Sequence, residues 1–186
     1  MKHGASLVQA NTVQNVCSNV SRALFLDVDG VLTSSRSEIA LGIPKDLSPG
    51  EVRKFDQVAL GLVRRLCDVG QVGVVISSAR RAAHDWTEFG RALDLPTIGQ
   101  TPALGRRGVE IQAWLDTHPE IEQFAILDDM DEMLATQRPH FVRTTYGDGL
   151  CFPTLRDLAE KFALNVYDLF AQADEQPSAA APAPGA

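Results

Sequence analysis

Residues Ala23–Gly30 read ALFLDVDG: a short apolar run, two acids separated by one residue, and a glycine. A continuous apolar run of this length suits a strand covered on both faces. Asp27 and Asp29 lie two residues apart, so extended backbone can aim both carboxylates to the same side. Gly30 then permits a sharp departure from the strand. Two further runs repeat the pattern of apolar strand followed by polar end. Val72–Ser78 (VGVVISS) is β-branched and closes on Ser77 and Ser78, and Phe124–Leu127 (FAIL) runs into Asp128 and Asp129. Phe141–Thr144 (FVRT) predicts a weaker fourth strand.

Helix-period segments separate these runs. Val58, Leu62 and Leu66 recur every four residues with Gly70 behind them, which predicts a helix with a glycine stop. Helices are expected near 82–93, over 107–117 with Ile111, Trp114 and Leu115 on one side, and over 154–170. Strand–helix alternation predicts an α/β fold: a doubly wound, mainly parallel sheet with helices on both faces. Ligands bind such a sheet beyond the carboxyl ends of its strands. The three polar strand ends are therefore expected to converge at one edge.

The chain has 186 residues and a formal net charge of -7, from 17 Lys and Arg against 24 Asp and Glu. That length suits one domain able to bury roughly two thirds of its unfolded surface. Residues 1–20 are polar, and 171–186 hold seven Ala and three Pro. Both are expected to be flexible, leaving a domain over 21–170. No window approaches the roughly 18–20 apolar residues of a membrane span, and the N-terminus lacks a signal pattern. Cys17, Cys67 and Cys151 are odd in number and widely spaced, so the expectation is a cytoplasmic setting without disulfides. The acidic balance argues against bulk coating of nucleic acid, though not against a local basic site.

Asp27, Asp29, Asp128 and Asp129 would concentrate acids in a small space, where they repel and raise one another's pKa values. Either cluster alone reads as turn or helix-cap acids. Both together, each behind an apolar strand, point to a hard divalent cation, and all-oxygen ligation points to Mg²⁺. A metal beside a carboxylate, a strand-end hydroxyl and nearby arginines suits a phosphoryl group. Aspartate is a competent nucleophile for phosphorus.

LFLDVDGVLT (Leu24–Thr33), VVISSAR (Val74–Arg80) and FAILDD (Phe124–Asp129) resemble motifs I, II and IV of the haloacid dehalogenase (HAD) superfamily of phosphohydrolases. With RRGVEIQAWL, AILDDMDE and the late DGL of Asp148–Leu150, the chain is similar to the HAD domain of Swiss Army Knife RNA-repair proteins. The resemblance implies Asp27 as nucleophile and Asp29 as general acid and base. It implies Mg²⁺ on Asp27, the main-chain carbonyl of Asp29, Asp128 and Asp129. Ser77 would bind the phosphoryl group, with Ser78 its neighbouring alternative, and Gly30 would shape the loop beside the substrate. The family's motif III is usually Lys, and no Lys lies between Lys54 and Lys161. Arg107 best matches its place, with Arg106 the fallback, and either would be a fixed clamp.

Arg80 and Arg81 follow motif II at an expected helix start, where they would reach a substrate phosphate or simply face solvent. His84 and Asp85 read as surface residues, His118 and His140 as loop residues, and Trp86 and Trp114 as core aromatics. Asp131 and Glu132 are expected to open a helix after motif IV. Residues 33–57 are too few for a separate cap domain, so the resemblance is to a capless or minimally capped member. Its open site would admit a phosphorylated end of a nucleic acid or a small phosphorylated metabolite. Arg80, Arg81, Arg91, Arg106 and Arg107 would favour the first if they line one mouth. A phosphate- or metal-binding regulatory module is the non-enzymatic alternative. A receiver domain, however, places its acid pair first, whereas here the DxDG cluster precedes the DD pair. A P-loop kinase is excluded, because no GxxxxGK[ST] occurs.

Overall fold

In a computed structural model that describes residues 20–170, the apolar runs become a five-stranded sheet. Its strands are β1 (Arg22–Leu26), β2 (Gly73–Ile76), β3 (Thr97–Gln100), β4 (Gln123–Asp128) and β5 (Phe141–Arg143), in the order β3-β2-β1-β4-β5. Every pairing is parallel. All carboxyl ends therefore share one edge. The chain winds from β1 outward through β2 to β3, then returns to build β4 and β5 on the other side of β1. Direction reverses between β1 and β4, which is where open α/β sheets form their ligand crevice.

Alternation along the strands sorts side chains to two faces. Leu24, Leu26, Val74, Ile76, Ala125 and Leu127 pack on one side, with α3 (Gln57–Gly70), α4 (Trp86–Leu93) and α6 (Phe152–Lys161). Ala23, Phe25, Val75 and Ile126 pack on the other, against Ile111 and Trp114 of α5 (Arg107–Leu115). Phe25 meets Trp114 and Phe124 edge-on at centroid distances of 5.4 and 5.9 Å. Helices thus cover both faces. Between motif I and α3 lie only α1 (Ser35–Leu41) and the single-turn α2 (Pro49–Val52), a minimal cap rather than a domain. No helix among the described residues is long and apolar enough to cross a membrane.

Several expectations needed correction. The helix facing of α3 is shifted: Ala59, Leu60, Val63, Leu66 and Cys67 are buried, while Val58 is 68% exposed at the first turn. Asp56 caps that turn through the amides of Val58 and Ala59. Gly70 is the last helical residue, not the left-handed stop, which falls on Gln71 (φ 51°). A Cβ on Gly70 would meet Leu164 at 2.9 Å, so close packing explains the glycine. The expected 82–93 helix divides into a 3₁₀ turn, Ala79–Ala82, and α4, which Asp85 caps. The expected 154–170 helix ends at Lys161, and a 3₁₀ turn covers Val166–Phe170. Asp131 and Glu132 lie in an irregular loop, followed by a 3₁₀ turn over Ala135–His140. The edge strand β3 (TIGQ) was missed, since it carries a Gly and a Gln and only a brief apolar signal. The two expected tails, 1–20 and 171–186, lie outside the described residues except for Val20.

Phe25 is fully buried, so Phe25→Ala should cost about 3–5 kcal/mol of unfolding free energy in urea. A loss under about 1 kcal/mol would contradict the packing described.

Candidate active site

The pairing of β1 with β4 decides which acids meet. Leu26 lies opposite Leu127, and the Asp27 amide donates to the Leu127 carbonyl at 3.0 Å. The next residues along both strands, Asp27 and Asp128, thereby become neighbours. After Asp27 the chain turns tightly, with the amides of Val31, Leu32 and Thr33 all donating to the Val28 carbonyl. Gly30 holds φ +75° in that turn. A Cβ there would sit 2.5 Å from the Asp129 carboxyl carbon, so only glycine lets Asp129 approach. The buried Thr144 hydroxyl donates to the Gly30 carbonyl at 2.7 Å, fastening the turn to the end of β5.

One carboxylate oxygen each from Asp27, Asp128 and Asp129 lies within 4.8 Å of the others. Burial raises the pKa of all three. For Asp128 burial and then the Asp27 charge push it up to about 7. One guanidinium opposes this repulsion. Arg107 places Nη2 3.3 Å from Asp27 Oδ1 and Nε 2.8 Å from Asp128 Oδ2. The second approach is not an aligned hydrogen bond, and Asp128 Oδ2 is buried without a hydrogen-bond partner. An all-oxygen cluster with an unfilled buried acceptor fits a hard cation. Asp27, Asp128 and Asp129 are the side chains able to hold one.

Asp29 stands apart from those three. Its carboxylate takes Nε and Nη2 of Arg80 at 2.7–3.0 Å and the Thr33 hydroxyl at 3.3 Å. Arg80 in turn donates to the Pro44 carbonyl at 3.0 Å and lies over the Phe55 ring at 5.8 Å. The two motif II serines also divide. The Ser78 hydroxyl accepts the Arg80 amide at 3.3 Å and lies close enough to Asp27 to lower its pKa against burial. Ser77 Oγ is buried and unpartnered.

The arginines do not line one mouth. Arg80 and Arg107 face the acids, and Arg106 and Arg91 are exposed, Arg91 on α4. Arg106 occupies the N-cap of α5 without a side-chain cap. The Arg81 side chain is largely enclosed and ion-paired with Glu110 at 2.7 Å. Arg81, Gln100, Thr101, Arg107, Glu110 and Glu132 help line a groove of about 470 Å³ that Ala79, Ala82, Pro102 and Ala103 also border.

The family model for the HAD domain in Swiss Army Knife RNA repair proteins matches residues 23–154, spanning every residue of this site. The chain belongs to that family. No curated protein matches it. Among solved structures, a HAD superfamily (subfamily III A) hydrolase from Legionella pneumophila is similar at 14% identity, over 87% of this chain and 93% of that one, with a TM-score of 0.38.

Within this HAD domain, Glu110, Thr144, Gln137 and Arg143 also brace the site. Arg143, exposed at the end of β5, donates to the Asp129 carbonyl at 3.0 Å. Gln137 is buried and donates to the Gly108 carbonyl at 2.8 Å. None of these has a motif of its own. Their one sequence signal is proximity to strand ends or to the α5 start. His84 pairs with Glu88, while His118 stacks on Trp114 and His140 on Phe124. Trp114 is a core residue and Trp86 packs partly buried against the core.

Gly30→Ala should displace the Asp129 carboxylate and weaken divalent-cation binding by about 10–100-fold, measured by isothermal titration calorimetry. Unchanged affinity in a folded variant would remove Asp129 from the cation-binding group.

Proposed function

We propose that this HAD-family domain is a Mg²⁺-dependent phosphomonoester hydrolase working through an aspartyl phosphate on Asp27. The observation that carries the reading is the Asp27–Asp128–Asp129 cluster with Arg107 set between two of its members. Mg²⁺ would be held by Asp27, Asp128, Asp129 and the main-chain carbonyl of Asp29, supplying positive charge to the phosphoryl oxygens.

Asp27 attacks phosphorus through a carboxylate oxygen, and the bond from phosphorus to the ester oxygen breaks. Asp29 gives that leaving oxygen a proton. Asp29 then takes a proton from the water that attacks the aspartyl phosphate, which releases phosphate and restores Asp27. Arg107, permanently charged, shares its donors between the carboxylates and the phosphoryl oxygens. Ser77, whose hydroxyl is buried and unpartnered, is the phosphoryl donor, with Ser78 the neighbouring alternative. Arg80 must release Asp29 in part for proton transfer, and a phosphate oxygen is a suitable exchange partner for its guanidinium.

The substrate class is a nucleotide or a nucleic-acid end phosphate. The RNA-repair setting of the family supports this, as does the absence of a cap domain between motif I and α3. The five arginines do not line one mouth, so they add no support to the nucleic-acid class and argue against a long backbone track. A small-metabolite phosphatase is the second reading. The grip of Arg80 on Asp29 is the one observation favouring a phosphate-binding module without turnover.

A phosphate-release panel with Mg²⁺ separates these readings. It should include 5′- and 3′-phosphorylated oligonucleotides, mononucleotides, sugar phosphates and p-nitrophenyl phosphate. Release is expected, with Asp27→Asn lowering kcat by at least about 1000-fold while the fold persists. A kcat/KM about tenfold higher for end-phosphorylated oligonucleotides than for sugar phosphates supports the nucleic-acid class. Silence across the panel would promote the binding module.

A further inference from the structure

Arg80 and Arg81 are adjacent in sequence and have opposite fates. Arg80 turns toward Asp29, whereas the Arg81 side chain is only 8% exposed and lies behind the site. Its guanidinium donates to four carbonyls: Ser77 at 3.0 Å, Ser78 at 2.6 Å, Thr101 at 3.0 Å and Pro102 at 3.3 Å. Nη2 also pairs with Glu110 Oε2 at 2.7 Å. Glu110 is equally buried, and its other oxygen accepts the amides of Leu104 at 2.9 Å and Gly105 at 3.0 Å. These two side chains thus join the end of β2, the loop after β3 and the first turns of α5.

These are the segments that carry the phosphoryl-binding groups. Ser77 and Ser78 follow β2, and Arg107 opens α5 on the same side as Glu110, three residues away. The α5 N-cap residue, Arg106, makes no side-chain cap bond. The Glu110 carboxylate organises the entering loop instead. On its other flank α5 is braced by Gln137 against Gly108, where a Cβ would meet the Leu134 amide at 2.7 Å. Arg107 therefore projects from a helix start gripped on both sides.

A buried ion pair is often no more stabilising than an apolar pair of the same volume. An apolar pair could not gather four carbonyls from two strand ends, which needs the planar fork of arginine. We infer that Arg81 and Glu110 are a positioning pair, setting the reach of Arg107 to Asp27 and Asp128 relative to the Ser77 hydroxyl. The kinetic consequence rests on the phosphomonoesterase reading; the geometric claim stands without it.

The test uses the full chain and four variants: Glu110→Gln, Arg81→Lys, Arg107→Ala and the double variant Glu110→Gln/Arg107→Ala. One readout is p-nitrophenyl phosphate hydrolysis with Mg²⁺. The other is the Arg107 Nε–H signal in ¹⁵N-edited NMR, assigned by its loss in Arg107→Ala. Glu110→Gln should lower kcat by about 10–100-fold, with KM unchanged within a factor of about two. In the Arg107→Ala background the same change should alter kcat by less than about twofold, because the pair acts through Arg107. The Arg107 Nε–H signal should shift or exchange faster with water in both Glu110→Gln and Arg81→Lys. An equal fold loss in both backgrounds, or an unmoved Arg107 signal, would overturn the inference. Loss of the fold in both Glu110→Gln and Arg81→Lys would also overturn it, since the pair would then be structural. If the unsubstituted chain releases no phosphate, the phosphomonoesterase reading fails, and the NMR signal alone decides the positioning claim.

Discussion

The placement of like charges at the ends of two adjacent parallel strands governs everything around the site. Neighbouring strands lie about 4.8 Å apart, and the Leu26–Leu127 register brings the next residues, Asp27 and Asp128, to adjacent strand ends. Gly30 admits Asp129 as a third acid. Burial and the Asp27 charge push Asp128 up to about 7, with Arg107 opposing the rise. The sheet core holds the strands in this arrangement, so apolar packing on both faces sustains a concentrated negative site at the edge.

Three arginines answer that charge in different ways. Arg107 reaches directly into the cluster, Arg80 occupies Asp29, and Arg81 acts with Glu110 on the supporting loops. The division separates binding of charge from control of geometry. Arg107 could not be exchanged for a residue with one point charge without losing its simultaneous approach to two carboxylates. Asp29 stands outside the carboxylate cluster with its carboxylate held by Arg80, so its availability depends on how firmly that guanidinium stays in place.

The strand ends were legible because the same residues serve two purposes. ALFLDVDG and FAILDD show a buried strand and a polar terminus in one uninterrupted stretch, and parallel topology then brings the termini together. Arg107 was legible from its place before EIQAWL. The partition between Ser77 and Ser78 was not, since it depends on side-chain direction after β2. Nor were the fates of Arg80 and Arg81, identical neighbours separated only by the geometry of a 3₁₀ turn. Glu110 lay hidden within a helix whose apolar side drew attention elsewhere. The phase of α3 was misjudged because Val58 is apolar yet stands at an exposed first turn. Long-range ion pairs decide the fates of Arg80, Arg81 and Glu110, and local periodicity carries no record of them.

The central claim is that Asp27, and no other acid of the cluster, receives the phosphoryl group. It is tested by quenching the enzyme during Mg²⁺-supported turnover of p-nitrophenyl phosphate, reducing with borohydride and mapping peptides by mass spectrometry. Reduction of an aspartyl phosphate converts that aspartate to homoserine, so the account predicts homoserine at position 27 and intact aspartates at 128 and 129. Conversion at Asp128 or Asp129, or an unmodified Asp27 in a chain actively releasing phosphate, would contradict it.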